Sequence, residues 1–201
     1  MDGVIVISEP IYVAIEKEMF KDLGLDIGDE EHGGLAGMTI EGMWALVKER
    51  HGLTKSIEEL VEQGEKMYMD KLQQSDLEAV KGVRRLIKNL KERGIKLAVA
   101  TSSPRSRMEL ILGKLEVAML FDEMVCADDI TNGKPDPEIY LKAAEKLGVR
   151  PEDCVAIEDA RNGVVAAKDA GMKVVGIRTN PVKQDFSMAD TVIEEFNALR
   201  I

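Results

Sequence analysis

The sequence predicts an α/β protein with a doubly wound parallel sheet and a helical region inserted near its amino terminus. Two patterns carry this prediction. From residue 81 onward, short apolar segments alternate with amphipathic segments of helical period, which is typical of βαβ units joined by right-handed crossovers. Between residues 9 and 80 the apolar residues recur at helical spacing, and no strand pattern is evident. The expected domains are therefore a core of residues 1–9 and 80–201 and a helical insert of residues 10–79.

The insert is expected to contain three helices. The first has an apolar residue at every fourth position from Ile11 to Leu23, and Gly24 ends it. The second follows Thr39, whose hydroxyl is expected to cap it. The third covers the apolar positions between residues 57 and 72.

The core is expected to alternate strictly between strands and helices. Strands are predicted at residues 95–100, 124–127, 154–157, 173–177 and 191–193, and helices at 83–93, 104–115, 137–147 and up to 170. Pro104 suits the first position of its helix, and Ser103 is expected to cap it.

The composition of the chain indicates which binding partners and which cellular compartment to expect. The net charge of −10 argues against nucleic acid or an anionic membrane as a partner. No apolar run approaches the roughly 18 residues of a membrane span, and no signal peptide is recognised. Cys126 and Cys154 are both expected to be free, buried thiols. These features predict a cytoplasmic protein.

Two adjacent carboxylates, Glu158 and Asp159, end the apolar run that begins at Cys154. A continuous apolar run suits a strand buried on both faces, so these acids should lie at the carboxyl edge of the sheet, where ligands bind. Their mutual repulsion requires a cation, and Mg²⁺ prefers oxygen ligands. The alternative is a loop with two solvated charges.

Two further segments end predicted strands or precede helices. Thr101, Ser102 and Ser103 offer hydroxyls and backbone N–H groups at a helix start, which could cradle a phosphate or could simply cap the helix. Lys134, within Gly133-Lys-Pro-Asp-Pro137, could balance phosphate and carboxylate charge or could be an exposed loop lysine. Neither segment decides between its alternatives alone.

Taken in order, the motifs resemble the haloacid dehalogenase superfamily, in its branch of β-phosphoglucomutase-like phosphatases with a helical cap. The matching segments are residues 2–4 (DGV), 8–10 (SEP), 101–102 (TS), 133–140 (GKPDPEIY), and 158–171 from Glu-Asp to Ala-Gly. The resemblance covers nearly the whole chain. It implies a Rossmann-like core, a helical cap over residues 10–79, and hydrolysis of small phosphorylated metabolites with Mg²⁺.

The resemblance also implies residue roles. Asp2 matches the general acid and base, and its backbone carbonyl would contact the metal. Thr101, with Ser102, matches the hydroxyl segment that binds the phosphoryl group, and Lys134 matches the lysine that neutralises its charge. Glu158 and Asp159 match the acidic pair that holds Mg²⁺. Residues 37–39 (Gly37, Met38 and Thr39) resemble the cap loop that contacts substrate.

Three positions depart from the family pattern. The nucleophilic aspartate, which would form an aspartyl-phosphate, should stand immediately before Met1 and is not among these 201 residues, and neither is the strand that leads into it. An internal start at Met1 and a real truncation are both explanations. Ile7 replaces an aspartate common in relatives, and Tyr12 stands near the cap histidine of the mutases.

The sequence thus predicts a Mg²⁺-dependent phosphatase acting on small phosphomonoesters, sugar phosphates foremost. A sugar phosphate mutase and a catalytically inactive binding or regulatory protein are the alternatives. Two further pairs of residues are expected to be bystanders: His32 and His51 as solvated or helix-terminal residues, and Arg105 and Arg107 as surface charges.

Overall fold

The structure, a computed structural model, describes residues 1–35, 38–179 and 184–199. The chain divides into two compact units. An α/β unit contains Met1–Ser8 and the chain from Leu77 onward, and a helical unit contains Glu9–Asp76. No helix in the described ranges is both long and apolar enough to cross a membrane.

The described residues of the helical unit form four helices. They are α1 (Glu9–Asp22), α2 (Asp29–Gly33), α3 (Ile40–His51) and α4 (Ile57–Gln74). Helix α4 packs against both α1 and α3, around a core that includes Trp44 and Tyr68. The predicted role of Thr39 as the N-cap of α3 is confirmed, since its hydroxyl oxygen accepts a hydrogen bond from the Gly42 N–H at 3.1 Å. Helix α2 was not predicted, because its acidic, glycine-rich sequence has no apolar period.

The two histidines of this unit lie in the last turns of α2 and α3, as predicted, but both are paired and His32 is buried rather than solvated. His32 is only 9% exposed, lies 2.5 Å from Glu16, and packs edge-on against Phe20. His51 lies 3.0 Å from Glu31. Sequence reasoning missed these pairs because each joins residues on different helices.

The α/β unit alternates as predicted. Its elements are α5 (Val83–Glu92), β1 (Ala98–Ala100), α6 (Arg105–Lys114), β2 (Glu123–Val125), α7 (Glu138–Leu147), β3 (Val155–Glu158), α8 (Arg161–Asp169), β4 (Lys173–Ile177) and β5 (Thr191–Ile193). Single 3-10 turns lie at Ala118–Leu120, Ala127–Asp129, Pro151–Asp153 and Phe196–Ala198. Strand β1 starts later than predicted, because the Leu97 N–H bonds the Asp122 carboxylate at 2.8 Å instead of a neighbouring strand.

All strand pairs are parallel, but they form two sheets. Strand β1 pairs with β2, and β3, β4 and β5 form the second sheet in that order. Helix α7 packs on β1 and β2 and also against α8, which packs on β3 and β4. One hydrophobic core therefore serves both sheets; it includes Val125 of β2, Ala156 of β3 and Val174 of β4.

The first residues form a compact turn beside these strands. The Met1 carbonyl accepts hydrogen bonds from the Val4 and Ile5 N–H groups at 3.2 and 2.7 Å. Val6 is fully buried and forms a bridge with Ala79. The Thr179 hydroxyl donates to the Gly3 carbonyl. These contacts fix the backbone around Asp2.

Three local expectations are corrected in this unit. Helix α6 begins at Arg105 with Pro104 as its N-cap, and Ser103 does not cap it. Cys126 is buried as expected, but Cys154 is only partly buried. Arg107 is 5% exposed and therefore is not a surface charge.

Candidate active site

Six of the predicted site residues, Ser102 among them, lie in the α/β unit, next to the carboxyl ends of β1 and β3. Thr101 directly follows β1, Glu158 is the last residue of β3, and Asp159 follows it. The loop between β2 and α7 carries Lys134, and the amino-terminal turn carries Asp2. The contacts described next bring Asp2, Lys134, Glu158 and Asp159 together.

A buried ion pair forms the centre of the cluster. The Lys134 Nζ lies 2.5 Å from Glu158 Oε1, and the two side chains are 13% and 8% exposed. The Tyr140 hydroxyl, from α7, donates to the same oxygen. The Lys134 ammonium also lies 4.9 Å from the centroid of the Tyr140 ring. Lysine, glutamate and tyrosine therefore form one connected group.

The contacts within this group determine the protonation states of Glu158 and Tyr140. Burial alone would raise the pKa of Glu158, but the Lys134 ammonium, the amino terminus, and hydrogen bonds from Lys134 and Tyr140 outweigh it and lower that pKa. Burial, together with the Glu158 charge, raises the pKa of Tyr140 well above its ordinary value. The proton thus stays on the phenol and the negative charge on Glu158.

Asp159 is the least compensated charge in the cluster. Burial, then the neighbouring Glu158 and Asp2 carboxylates, raises its pKa from 3.8 to about 6, against the lowering effect of the amino terminus. In the described ranges no lysine or arginine side chain pairs with it. At neutral pH this site therefore holds an excess of buried negative charge.

Two glycines let backbone approach these carboxylates. A Cβ atom on Gly3 would lie 2.0 Å from Asp159 Oδ2, and the Gly3 φ of +65° also favours glycine. A Cβ atom on Gly163 would lie 2.1 Å from the Glu158 Cδ. Gly163 is in the first turn of α8, so the Glu158 carboxylate lies against the positive end of that helix.

Asp2 and Thr101 are joined through Ser103. The Ser103 hydroxyl donates to Asp2 Oδ2 at 2.9 Å, and the Ser103 N–H donates to Thr101 Oγ1 at 3.1 Å. Because Thr101 Oγ1 acts as an acceptor there, its own proton remains available to a ligand. Asp2 Oδ1 is buried and has no hydrogen-bond partner among the described residues. Thr101 is 2% exposed, whereas Ser102 is exposed.

The carboxylates of this cluster resemble a Mg²⁺ site of low protein coordination. In the described part of the chain, no group of three or more histidine, cysteine, aspartate or glutamate side chains is arranged to hold a metal. Mg²⁺, however, usually binds proteins through one or two carboxylates and keeps several waters or phosphate oxygens. The uncompensated Asp159 carboxylate fits that requirement. Glu158 is engaged by Lys134 and Tyr140, so the geometry favours Asp159 over Glu158 as a direct ligand.

The predicted substrate loop belongs to the helical unit. Gly37 lies outside the described residues, Met38 is 43% exposed, and Thr39 uses its side chain to cap α3. Their role toward substrate stays a prediction.

A cavity in the helical unit has a different character. Its volume is about 610 Å³, and it is lined by Ile57, Val61, Met69, Lys66 and the four glutamates 41, 58, 62 and 65. It contains none of the predicted site residues, and no lysine–carboxylate–hydroxyl group like that of the α/β unit. Volume alone therefore does not identify the active site here.

Sequence reasoning missed Ser103 as a partner of Asp2, Tyr140 as a partner of Glu158, and the close packing at Gly3 and Gly163. Tyr140 and Gly163 both lie within the matched motifs. The available signal was position alone: Tyr140 comes six residues after Lys134, and Gly163 comes four residues after Asp159.

Comparison with known proteins identifies the family. The family model of haloacid dehalogenase-like hydrolases matches residues 1–177. The Phosphorylated carbohydrates phosphatase of Thermotoga maritima is 36% identical over 177 residues, which cover 86% of this chain and 80% of that protein. Hexitol phosphatase B of Escherichia coli K12 is 29% identical over 205 residues, covering 99% of this chain and 91% of that protein.

A solved structure leads to the same family. A Thermotoga maritima protein, provisionally described as a β-phosphoglucomutase, superposes with a TM-score of 0.81 at 31% identity, covering 96% of this chain and 91% of that one. The chain therefore belongs to the haloacid dehalogenase-like hydrolases and is an enzyme of their phosphatase type.

Proposed function

We propose that this protein is a Mg²⁺-dependent phosphatase that releases inorganic phosphate from small phosphomonoesters, and from sugar phosphates in particular. The observation that carries the proposal is the buried Lys134–Glu158 pair beside the uncompensated Asp159. A cation and a hydroxyl gathered next to surplus carboxylates suit a phosphoryl group together with a metal ion, since phosphoryl transfer depends mainly on positioning and charge neutralisation.

The names of the relatives support sugar phosphates as the substrate class. One relative is named for phosphorylated carbohydrates and another for a hexitol. The net charge of −10 disfavours polyanionic substrates such as nucleic acids. A small phosphorylated metabolite in the cytoplasm is therefore the proposed substrate.

Each of the cluster's residues has a proposed task. Lys134 neutralises phosphoryl charge, and the Thr101 hydroxyl donates to a phosphoryl oxygen. Asp2 carries the proton: Ser103 fixes its Oδ2, and the unpaired Oδ1 can deliver a proton to the leaving oxygen and then take one from the attacking water. Mg²⁺, held by Asp159 with Asp2 and Glu158 beside it, would supply positive charge to the phosphoryl oxygens.

The nucleophile is proposed to be an aspartate immediately before Met1, where the family motif places it, and the covalent intermediate an aspartyl-phosphate. The helical unit is proposed to act as a cap, with residues 37–39 toward the substrate. Closure of such a unit would exclude water from the phosphoryl group.

The test compares the 201-residue chain with a form extended by an apolar strand that ends in aspartate just before Met1. We expect the extended form to release phosphate from p-nitrophenyl phosphate and from several hexose phosphates, and EDTA to stop it. In that form Lys134→Ala should lower kcat/KM at least 100-fold, because phosphoryl charge is left unneutralised. The exposed Lys173 offers a matched control, and Lys173→Ala should retain activity.

Strong, EDTA-sensitive turnover by the 201-residue chain would contradict the residue assignment. Failure of both forms to hydrolyse any phosphomonoester, with both folded, would favour a binding or regulatory protein instead.

The second candidate is a sugar phosphate mutase, favoured by the likeness to the provisionally described β-phosphoglucomutase. A mutase must keep water from its intermediate until a second sugar hydroxyl attacks. Tyr12 replaces the cap histidine of the mutases, and its ring stacks on Tyr68 at 4.3 Å. We therefore expect the extended form to make phosphate, with little glucose 6-phosphate, from β-glucose 1-phosphate and a trace of bisphosphate. Predominant glucose 6-phosphate would reverse this ranking.

A further inference from the structure

We propose that Tyr140 is a positioning residue that holds Glu158 in place and thereby keeps the Lys134 ammonium available to a phosphoryl group. This inference rests on the proposed function, in which Lys134 binds phosphate. It concerns a residue of α7 that performs no chemistry itself.

The geometry gives Tyr140 two separate contacts with the ion pair. Its hydroxyl donates to Glu158 Oε1, the oxygen that also receives Lys134. The Lys134 ammonium lies over its ring, 4.9 Å from the ring centroid, within the range of a cation–π contact. The side chain is 6% exposed, so water does not replace either contact easily.

The Tyr140 hydroxyl affects how tightly Glu158 holds the Lys134 ammonium. A carboxylate oxygen with two donors divides its charge between them, so Lys134 is held less tightly than in a simple buried ion pair. The carboxylate cannot swing away, because its other side lies against the backbone of Gly163. Without the hydroxyl, the lysine becomes the sole side-chain donor to Glu158 in the described structure, and it should be drawn more firmly to the carboxylate.

The ring has a complementary effect. It offers the ammonium a partner that is not a full negative charge, so a phosphate can compete for the lysine. Tyr140→Phe removes the hydroxyl and keeps the ring, whereas Tyr140→Leu removes both. The two variants therefore separate the two contacts.

The experiment measures binding of inorganic phosphate to the 201-residue chain by titration calorimetry in the presence of MgCl₂, alongside urea unfolding. Tyr140→Phe should weaken phosphate binding about five- to tenfold, less than the loss of a whole hydrogen bond to a charged group, because the hydroxyl acts on phosphate only through Lys134. Tyr140→Leu should weaken it further. Tyr68→Phe makes the same chemical change at a buried tyrosine of the helical unit and should leave phosphate affinity within twofold of the parent.

A double-variant cycle shows whether the hydroxyl acts through Glu158. In a Glu158→Gln background, adding Tyr140→Phe should change phosphate affinity less than twofold. An undiminished effect in that background would overturn the proposed route. A purely structural role predicts a lower unfolding midpoint for Tyr140→Phe with unchanged phosphate affinity, and that result would also overturn the inference.

The same titration separates this inference from the proposed function. If the parent chain stays folded but binds no phosphate with MgCl₂, the proposed function fails and the inference falls with it. If the parent binds phosphate and Tyr140→Phe binds it equally well, only the role of Tyr140 is overturned.

Discussion

The two carboxylates at the end of β3 lie against backbone that has no room for a side chain. At Gly163, any Cβ atom would overlap the Glu158 carboxyl group at 2.1 Å. Glycine is otherwise a poor helix residue, so its presence in the first turn of α8 costs intrinsic helix stability. That cost is offset by the close approach of the helix start to a buried negative charge.

Gly163→Ala should therefore destabilise the protein, although alanine is the better helix former. We expect a loss of about 2–3 kcal/mol in the free energy of unfolding, typical of forced overpacking. Urea unfolding measures it. The matched control is Gly113→Ala in α6, where a Cβ atom would meet nothing within 4 Å and stability should rise by up to about 1 kcal/mol. A stabilised Gly163→Ala would show that Glu158 does not occupy this position.

At the scale of single residues, the sequence singled out residues that stand beside a strand end or ahead of a helix. Thr101, Lys134, Glu158 and Asp159 were selected in this way, and their roles stay predictions. It did not predict the pairs that fix them, because these pairs are remote along the chain. Ser103 and Asp2 are 101 positions apart. No periodicity or local motif encodes such a contact.

At the scale of elements, the turn after β2 holds the start of α6. The Asp128 carboxylate accepts the Arg105 N–H at 2.8 Å, and Asp129 accepts the Arg105 guanidinium at 2.6 and 2.7 Å. The Ala127 N–H donates to the Ser103 carbonyl at 3.1 Å. The hydroxyl segment that begins at Thr101 is thus attached to the neighbouring turn, and Arg105 is a structural partner rather than a free surface charge.

Asp129→Asn should weaken this attachment in a pH-dependent way. Hydrogen bonds from the Cys126 backbone and thiol, with the Arg105 charge, lower the pKa of Asp129 from 3.8 to about 2. A carboxyl group whose pKa is lower in the folded state stabilises the fold at any pH above its pKa in the unfolded chain. This stabilisation is lost as the pH falls through the pKa of the folded state. We expect Asp129→Asn to cost about 1 kcal/mol at pH 5 and less at pH 3, as measured by urea unfolding.

The exposed Asp26 serves as the control for that experiment, and Asp26→Asn should have no effect at either pH. A destabilisation by Asp129→Asn that is equal at pH 5 and pH 3 would contradict the assigned charge of Asp129.

The order of elements from α5 to β5 followed from the sequence, because short, mainly apolar segments alternate there with amphipathic segments of helical period. Helix α2 escaped prediction, since it is held by the Glu16–His32 and Glu31–His51 contacts instead of an apolar face. The division of the strands into two sheets also escaped it. Strand pairing depends on which edges meet, and a single apolar run does not specify its neighbour.

At the scale of the whole molecule, the family assignment needed several motifs together. Glu-Asp after a strand, lysine between glycine and proline, and a hydroxyl pair each have ordinary structural explanations. Their order along successive βα units argues against those explanations, because parallel topology places the hydroxyl pair and the acidic pair at the carboxyl ends of β1 and β3, with Lys134 in contact with Glu158. The same topology concentrates negative charge there, in a chain whose net charge is already −10.

This concentration of charge predicts that Mg²⁺ stabilises the folded protein. A ligand bound only by the folded state raises its stability by mass action, so 10 mM MgCl₂ should raise the unfolding midpoint by about 3–6 °C for millimolar affinity, and EDTA should reverse it.

Asp159→Asn should abolish this Mg²⁺-dependent shift of the unfolding midpoint. Without metal at pH 7, Asp159→Asn should also raise the unfolding midpoint. The pKa of Asp159 is raised from 3.8 to about 6 in the folded state, so its ionisation at pH 7 destabilises the fold. The control is Asp153→Asn in the exposed turn before β3, which should retain the full Mg²⁺ shift. A Mg²⁺ shift of equal size in Asp159→Asn would contradict the assignment of Asp159 as a ligand of the metal.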